Sequence, residues 1–115
     1  MPIYADQIVR DQFSVIRQAA KDVDYAKLLT LVSSSIFALE DGEEVRKALG
    51  DTNLLILSAR FRRPGIFATV LNNGVNFSNV TLQRSEASST GWILIRAGFL
   101  ECLLNNDSES FCIED

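Results

Sequence analysis

The 115-residue sequence predicts an α+β fold, with two to three N-terminal helices packed on one face of a four- to five-stranded antiparallel sheet. Apolar residues recur at helical spacing in residues 3–50, and from Asn53 onward they alternate with a period of two. The tripeptide Asn72-Asn73-Gly74 is typical of the tight turns that close β-hairpins. Because locally connected strands follow the helices, we expect a meander within one domain that covers residues 1–115.

The helical half divides into three segments. In residues 3–22, apolar residues recur every three or four positions, which predicts an amphipathic helix. A second apolar stripe covers residues 25–40 and predicts one continuous helix, although Ser33-Ser34-Ser35 in its middle lowers helix propensity. Residues 43–49 predict a short third helix, with acidic residues in its first turn and Gly50 as its terminator.

The first predicted strands are residues 54–61 and 66–71, joined by a turn that contains Pro64-Gly65. Alternation in the first strand places one set of side chains toward the helices and the other set on the opposite face. We expect the helix-facing set to be Leu55, Leu57, Ala59 and Phe61, and the opposite set to be Ile56, Ser58, Arg60 and Arg62.

The later strands are less regular. Val75 and Phe77 differ in parity from Val80 and Leu82, which predicts a bulge near Ser78-Asn79. A loop over residues 85–91 leads to a strand over residues 92–99, with a continuation to residue 104 left open and Gly98 as a possible bend. Residues 111–113 predict a short final edge strand.

The composition restricts the chemistry. The chain has no histidine, so it has no Ser–His or Cys–His nucleophile pair and no histidine metal ligand. Its six glycines are scattered, which disfavours a glycine-rich phosphate loop. Cys102 and Cys112 alone make a poor zinc site, and whether they are bridged stays open. We therefore expect no enzyme activity, no metal and no cofactor.

The charge is distributed unevenly. The net charge is −4, but residues 60–96 carry five arginines against one glutamate, whereas residues 97–115 carry five acidic residues and no cation. An acidic chain disfavours non-specific binding to nucleic acid. The basic block nevertheless predicts one local surface for an anionic or acidic partner.

The candidate site is this basic block. Residues two apart on a strand share a face, so Arg60 and Arg62 are expected to form a fork for a carboxylate or a phosphate, with other arginines near them on neighbouring strands. An alternative is that these charges only protect a solvated sheet face from aggregation. The predicted partner-binding residues are Arg60, Arg62, Arg63, Arg84, Arg96 and Trp92.

Two functions fit these observations. The first is a non-catalytic protein-interaction module, such as an adaptor, inhibitor, immunity protein or assembly subunit. It would bind a protein through the polarised sheet surface and is also expected to form a homodimer that covers the second sheet face. The alternative is a small-molecule-binding or enzymatic cone-shaped α+β domain with a pocket between sheet and helices. No apolar run is long enough to span a membrane and no signal peptide is visible, so we expect a cytoplasmic protein.

Overall fold

Helices precede strands along the chain, as predicted. The structure is a computed structural model and describes residues 4–38, 41–74 and 76–100. Its elements are α1 (Ala5–Lys21), α2 (Tyr25–Leu31), α3 (Ser34–Phe37), α4 (Gly42–Gly50), β1 (Leu54–Arg62), β2 (Gly65–Asn72), β3 (Asn76–Arg84) and β4 (Trp92–Ala97).

The strands form one antiparallel sheet in the order β1-β2-β3-β4, and the helices pack on one of its faces. The predicted α+β meander is therefore confirmed. Helix α1 lies against β1 and β2, while α2 and α3 lie against β4. The core between these layers is aliphatic at its centre, and its fully buried members include Ile16, Leu28, Leu31, Leu49, Ile66, Leu82 and Leu94.

The predicted single helix over residues 25–40 is wrong. Helix α2 ends at Leu31, Val32 adopts an extended conformation, and α3 begins at Ser34. Val32 forms a parallel bridge to Leu94, and the Ser33 amide donates to the Leu94 carbonyl at 2.8 Å. The break occurs because the edge of β4 offers a backbone acceptor, and the Ser33 hydroxyl then caps α3 by accepting from the Ser35 amide at 3.3 Å.

The predicted faces of β1 are partly wrong. The pairing with β2 shifts at Leu57, where one extra residue forms a bulge. Before the bulge Ile56 is paired with the buried Val70, so Leu55 lies on the face away from the helices and is 59% exposed. After the bulge the predicted parity is correct, because Ala59 is paired with the buried Ala68. The alternation of apolar residues does not reveal this change of face, because β1 has apolar residues at both odd and even positions.

The predicted bulge in β3 is also wrong. Strand β3 pairs with β2 without a register shift, from Asn76 opposite Asn72 to Gln83 opposite Gly65. The change of parity along the sequence arises because Phe77 lies on the face away from the helices, where it is 46% exposed. A second bulge occurs instead in β4, where the pairing shifts around Ile95.

Strand β4 is shorter than predicted. It ends at Ala97, and residues 98–100 are helical. Phe99 and Leu100 turn into the core, and the ring of Phe99 lies 6.3 Å from that of Phe13 on α1. Burial of these two side chains draws the chain out of the sheet. The strand over residues 111–113, the continuation to residue 104 and the Cys102–Cys112 question lie outside the described residues.

The two tight turns of the sheet lie where they were predicted. Asn73 and Gly74 both have positive φ, 56° and 77°, which suits the hairpin between β2 and β3. The turn between β1 and β2 contains Arg63 and Pro64, joined by a cis peptide bond. This second turn places Arg63 at the same end of the sheet as the loop over residues 85–91.

Candidate partner-binding surface

The face of the sheet away from the helices, here called the outer face, contains an apolar row. Leu55 on β1 is opposite Leu71 on β2, and Leu71 is opposite Phe77 on β3. Because paired residues of antiparallel strands project from the same face, the three side chains lie side by side. Leu55 and Phe77 are exposed and Leu71 is half-buried, so this apolar row faces solvent.

Two predicted site residues lie farther along the same face, beyond a polar row of Ser58, Thr69 and Asn79. Arg60 and Arg62 are two apart in the regular part of β1, and their partners on β2 are Phe67 and Gly65. Both arginines are exposed. The outer face therefore changes from apolar at one end to basic at the end that carries the turn between β1 and β2.

Arg96 is farther from this pair than predicted. It lies in the same row as Arg60, but the row runs from Arg60 through Phe67 and Thr81 to Arg96. Three strand spacings separate the two arginine backbones, which is roughly 14 Å. Arg96 therefore shares the outer face with Arg60 without being its neighbour.

Arg84 and Trp92 lie on the other side of the sheet. They are paired across β3 and β4. Each is two residues from a buried leucine of its strand, Leu82 or Leu94, so both project from the face that the helices cover. The guanidinium carbon of Arg84 is 5.1 Å from the centroid of the Trp92 ring, in a cation–π arrangement. The six predicted residues consequently divide between the outer face, the turn at Arg63 and this helix-side margin.

No ion pair of the described residues involves the four arginines near the turn between β1 and β2, namely Arg60, Arg62, Arg63 and Arg84. In the described part of the chain, the ion pairs join Arg10 to Asp6 and Arg46 to Glu43, both within helices. Neither involves Arg60, Arg62, Arg63 or Arg84. The sequence from residue 52 to residue 100 contains one carboxylate side chain, that of Glu86. This end of the sheet therefore carries positive charge that the described residues do not neutralise.

A polar cluster of Tyr25, Glu43 and Arg46 joins helix α2 to helix α4. The guanidinium of Arg46 donates to both carboxylate oxygens of Glu43, through Nε at 3.1 Å and Nη2 at 2.5 Å, and the Tyr25 hydroxyl donates to the same carboxylate. These hydrogen bonds, first from Arg46 and then from Tyr25, lower the pKa of Glu43 to about 2. The bond to Glu43 raises the pKa of Tyr25. A carboxylate held ionised in this way does not suit proton transfer near neutral pH, so the cluster joins α2 to α4 structurally.

Gln12 was not singled out by the sequence. Its side chain is 1% exposed and lies between α1, α2 and β4. Its amide nitrogen donates to the carbonyls of Leu31 (3.2 Å) and Trp92 (3.0 Å), and its oxygen accepts from the Thr90 hydroxyl (2.6 Å). Its hydrogen-bond partners are two backbone carbonyls and a hydroxyl, so it connects the helical layer to the sheet. The signal for it in the sequence was one polar residue beside the apolar stripe of the first helix.

A pocket between sheet and helices was the requirement of the alternative function. A cavity of about 180 Å³ lies between α1 and β1, and its lining includes Arg10, Ser14, Arg17 and Thr52. It is smaller than the roughly 300–1,000 Å³ of typical small-molecule sites. In residues 4–38, 41–74 and 76–100, no three Asp, Glu or Cys side chains come together as a metal site.

Comparison with known proteins adds no assignment. No protein-family model matches this sequence, and comparisons with curated proteins and with solved structures give no match. Among the helices that the structure describes, none combines the length and apolar character of a membrane span. Fold and surface together define a small α+β domain whose sheet has one face covered by helices and one face that is apolar and basic.

Proposed function

We propose that this protein is a non-catalytic protein-interaction module that binds an acidic protein through the outer face of its sheet. The observation that carries the proposal is the apolar row of Leu55, Leu71 and Phe77 on the same exposed face as Arg60 and Arg62. Contiguous exposed apolar side chains mark interaction surfaces in soluble proteins. Arginines around an apolar centre are a common interface composition, because guanidinium groups pair readily with carboxylates.

The charge of this face favours an acidic partner over a second copy. No Asp or Glu occurs in β1, β2, β3 or β4. A homodimer formed by the two outer faces would therefore bring arginines from both copies together without a carboxylate from either face. An acidic partner supplies the missing counter-charge, and the apolar row supplies desolvation energy of about 25 cal/mol per Å² of buried apolar area. The homodimer expected from the sequence stays a prediction and is the competing outcome of the test below.

The test compares two matched double variants of the tagged protein in its native host. R60E/R62E reverses two charges on the outer face, while K21E/K27E makes the same charge change on exposed helical positions. We expect an acidic protein to co-purify with the wild type and with K21E/K27E, and to be lost with R60E/R62E. Raising the salt concentration should weaken the complex, because exposed charge pairs are screened.

Two results would contradict the proposal. One is a co-purifying protein that R60E/R62E and the apolar-row variant L55D retain as well as the wild type does. The other is a stable dimer of the purified protein, observed by analytical ultracentrifugation and broken by L55D. This second result would assign the outer face to a second copy.

A further inference from the structure

A groove opens at the end of the sheet that carries the Arg63-Pro64 turn. It has a volume of about 260 Å³ and lies on the helix-side margin, outside the apolar row. Its lining consists of Phe61, Arg63, Pro64, Gly65, Arg84 and Trp92, and it is here called the turn-end groove. The groove combines two guanidinium groups with aromatic and proline side chains.

The arginines of the groove are arranged for recognition of an anion. The guanidinium carbon of Arg84 lies over the Trp92 ring, and this cation–π contact positions the cation at the groove. Arg63 supplies a second guanidinium from the adjacent turn. Neither arginine forms an ion pair with a carboxylate of the described residues.

The apolar part of the groove is exposed. Phe61 is opposite the buried Ile66, which places it on the helix side of the sheet, yet it is 56% exposed because the helices do not cover this end. Pro64 adds a rigid apolar surface beside it. A ligand that fits this groove therefore has an anionic group next to an apolar one.

We propose that the turn-end groove binds a short acidic peptide segment, in which an aspartate or glutamate is next to an aromatic or aliphatic side chain. Arg63 and Arg84 hold the carboxylate, while Phe61 and Pro64 contact the apolar side chain. This inference rests on the proposed function, because such a segment would belong to the acidic partner.

A peptide fits this groove better than a nucleic acid does. Proteins that bind single strands without sequence preference use a basic channel along several nucleotides, with successive aromatic platforms. The groove exposes one aromatic ring, that of Phe61, since Trp92 is only 8% exposed beneath Arg84.

The chain contains its own reporter of this site. Trp92 is its single tryptophan, so changes in intrinsic fluorescence report on the groove. The probe is the peptide acetyl-Gly-Phe-Glu-Glu-Gly-amide, titrated to millimolar concentration, with the Gln-Gln analogue as the uncharged control. We expect a saturable change with the acidic peptide and at least about a tenfold weaker response with the analogue, because charge-assisted hydrogen bonds are lost.

Matched variants separate the groove from the outer face. R63Q/R84Q should weaken peptide binding at least about tenfold, whereas R60Q/R62Q, on the opposite face, should bind as the wild type does. R84Q removes a group that contacts Trp92 and therefore alters the tryptophan fluorescence even without peptide. Amide chemical shifts measure peptide binding without relying on that fluorescence. The spectra of the free variants also show whether they are folded.

Three results would overturn the inference. They are no saturable response to the acidic peptide, equal binding by R63Q/R84Q, and tighter binding of a short oligothymidylate than of the peptide. Loss of peptide binding in R63Q/R84Q with partner capture still dependent on Arg60 and Arg62 supports both proposals. If the wild type binds the peptide and R63Q/R84Q loses this binding, but partner capture is insensitive to R60E/R62E, the outer-face function alone is contradicted.

Discussion

At the scale of single residues, Gly65 shows how closely two strands of this sheet approach. A Cβ atom added at Gly65 would lie 1.8 Å from the carbonyl oxygen of Leu82 on β3. The obstacle is backbone, so no rotation of a side chain relieves it. The sequence placed Gly65 in a turn, and the structure adds that its missing side chain allows β2 to pair with β3 there.

We therefore expect Gly65→Ala to destabilise the protein by at least about 1–3 kcal/mol, as overpacking of a close contact does. Urea denaturation measures the change. The control is Gly50→Ala at the end of α4, where the nearest atoms would be 3.7 Å away, an ordinary contact. Alanine in a helix is favoured over glycine by roughly 0.5–1 kcal/mol, so the control should be neutral or stabilising. Equal effects of the two substitutions would contradict this account.

At the scale of secondary structure, the bulge in β1 decides which side chains face solvent. Leu55 and Ile56 are adjacent and similarly apolar, so the sequence gives no preference between them. The register shift at Leu57 places Ile56 toward the helices and Leu55 on the outer face. Leu55 joins Leu71 and Phe77 in the exposed apolar row because of this one inserted residue.

The two adjacent residues should respond differently to the same substitution. We expect Leu55→Asn to change the free energy of unfolding by no more than about 0.5 kcal/mol, as surface substitutions do. Ile56→Asn should cost at least about 1–3 kcal/mol, because it places an amide without a partner against the core. Urea denaturation of both variants checks the prediction, and a larger loss with Leu55→Asn would reverse the assigned faces.

At the scale of the whole molecule, the helical layer and the sheet are joined by a buried polar contact as well as by apolar packing. Gln12 links α1 to the end of α2 and to the start of β4, with its partners up to 80 positions away in the sequence. Such a contact fixes the orientation of the layers, because the Gln12 amide meets the carbonyls of Leu31 and Trp92 only when α1, α2 and β4 are in this arrangement.

We expect Gln12→Leu to cost about 1–3 kcal/mol, although it replaces a polar side chain by an apolar one of similar size, because the carbonyl of the buried Leu31 loses its side-chain donor. Thermal unfolding followed by circular dichroism measures the loss. Gln18→Leu, on the exposed side of the same helix, is the matched control and should have little effect. A stabilised Gln12→Leu protein would show that apolar packing alone joins the layers.

The first helix, the β2–β3 hairpin and the packing of helices on one face of the sheet were predicted from the sequence, because they depend on local signals. Periodicity identified α1, and Asn73-Gly74 identified the hairpin. The break at Val32 escaped prediction because its cause, the Leu94 carbonyl, is 62 residues away along the chain. A periodic pattern contains no information about such distant partners.

The sequence by itself determined the composition of the candidate site: a block of arginines with few acids, no histidine and a single tryptophan. Only the tertiary structure decided how these residues are grouped. Pairing in the sheet placed Arg60 and Arg62 on the same face as the apolar row, and put Arg84 over Trp92 on the other side. Strand register fixes which face a side chain occupies, and register depends on bulges and on contacts between distant segments.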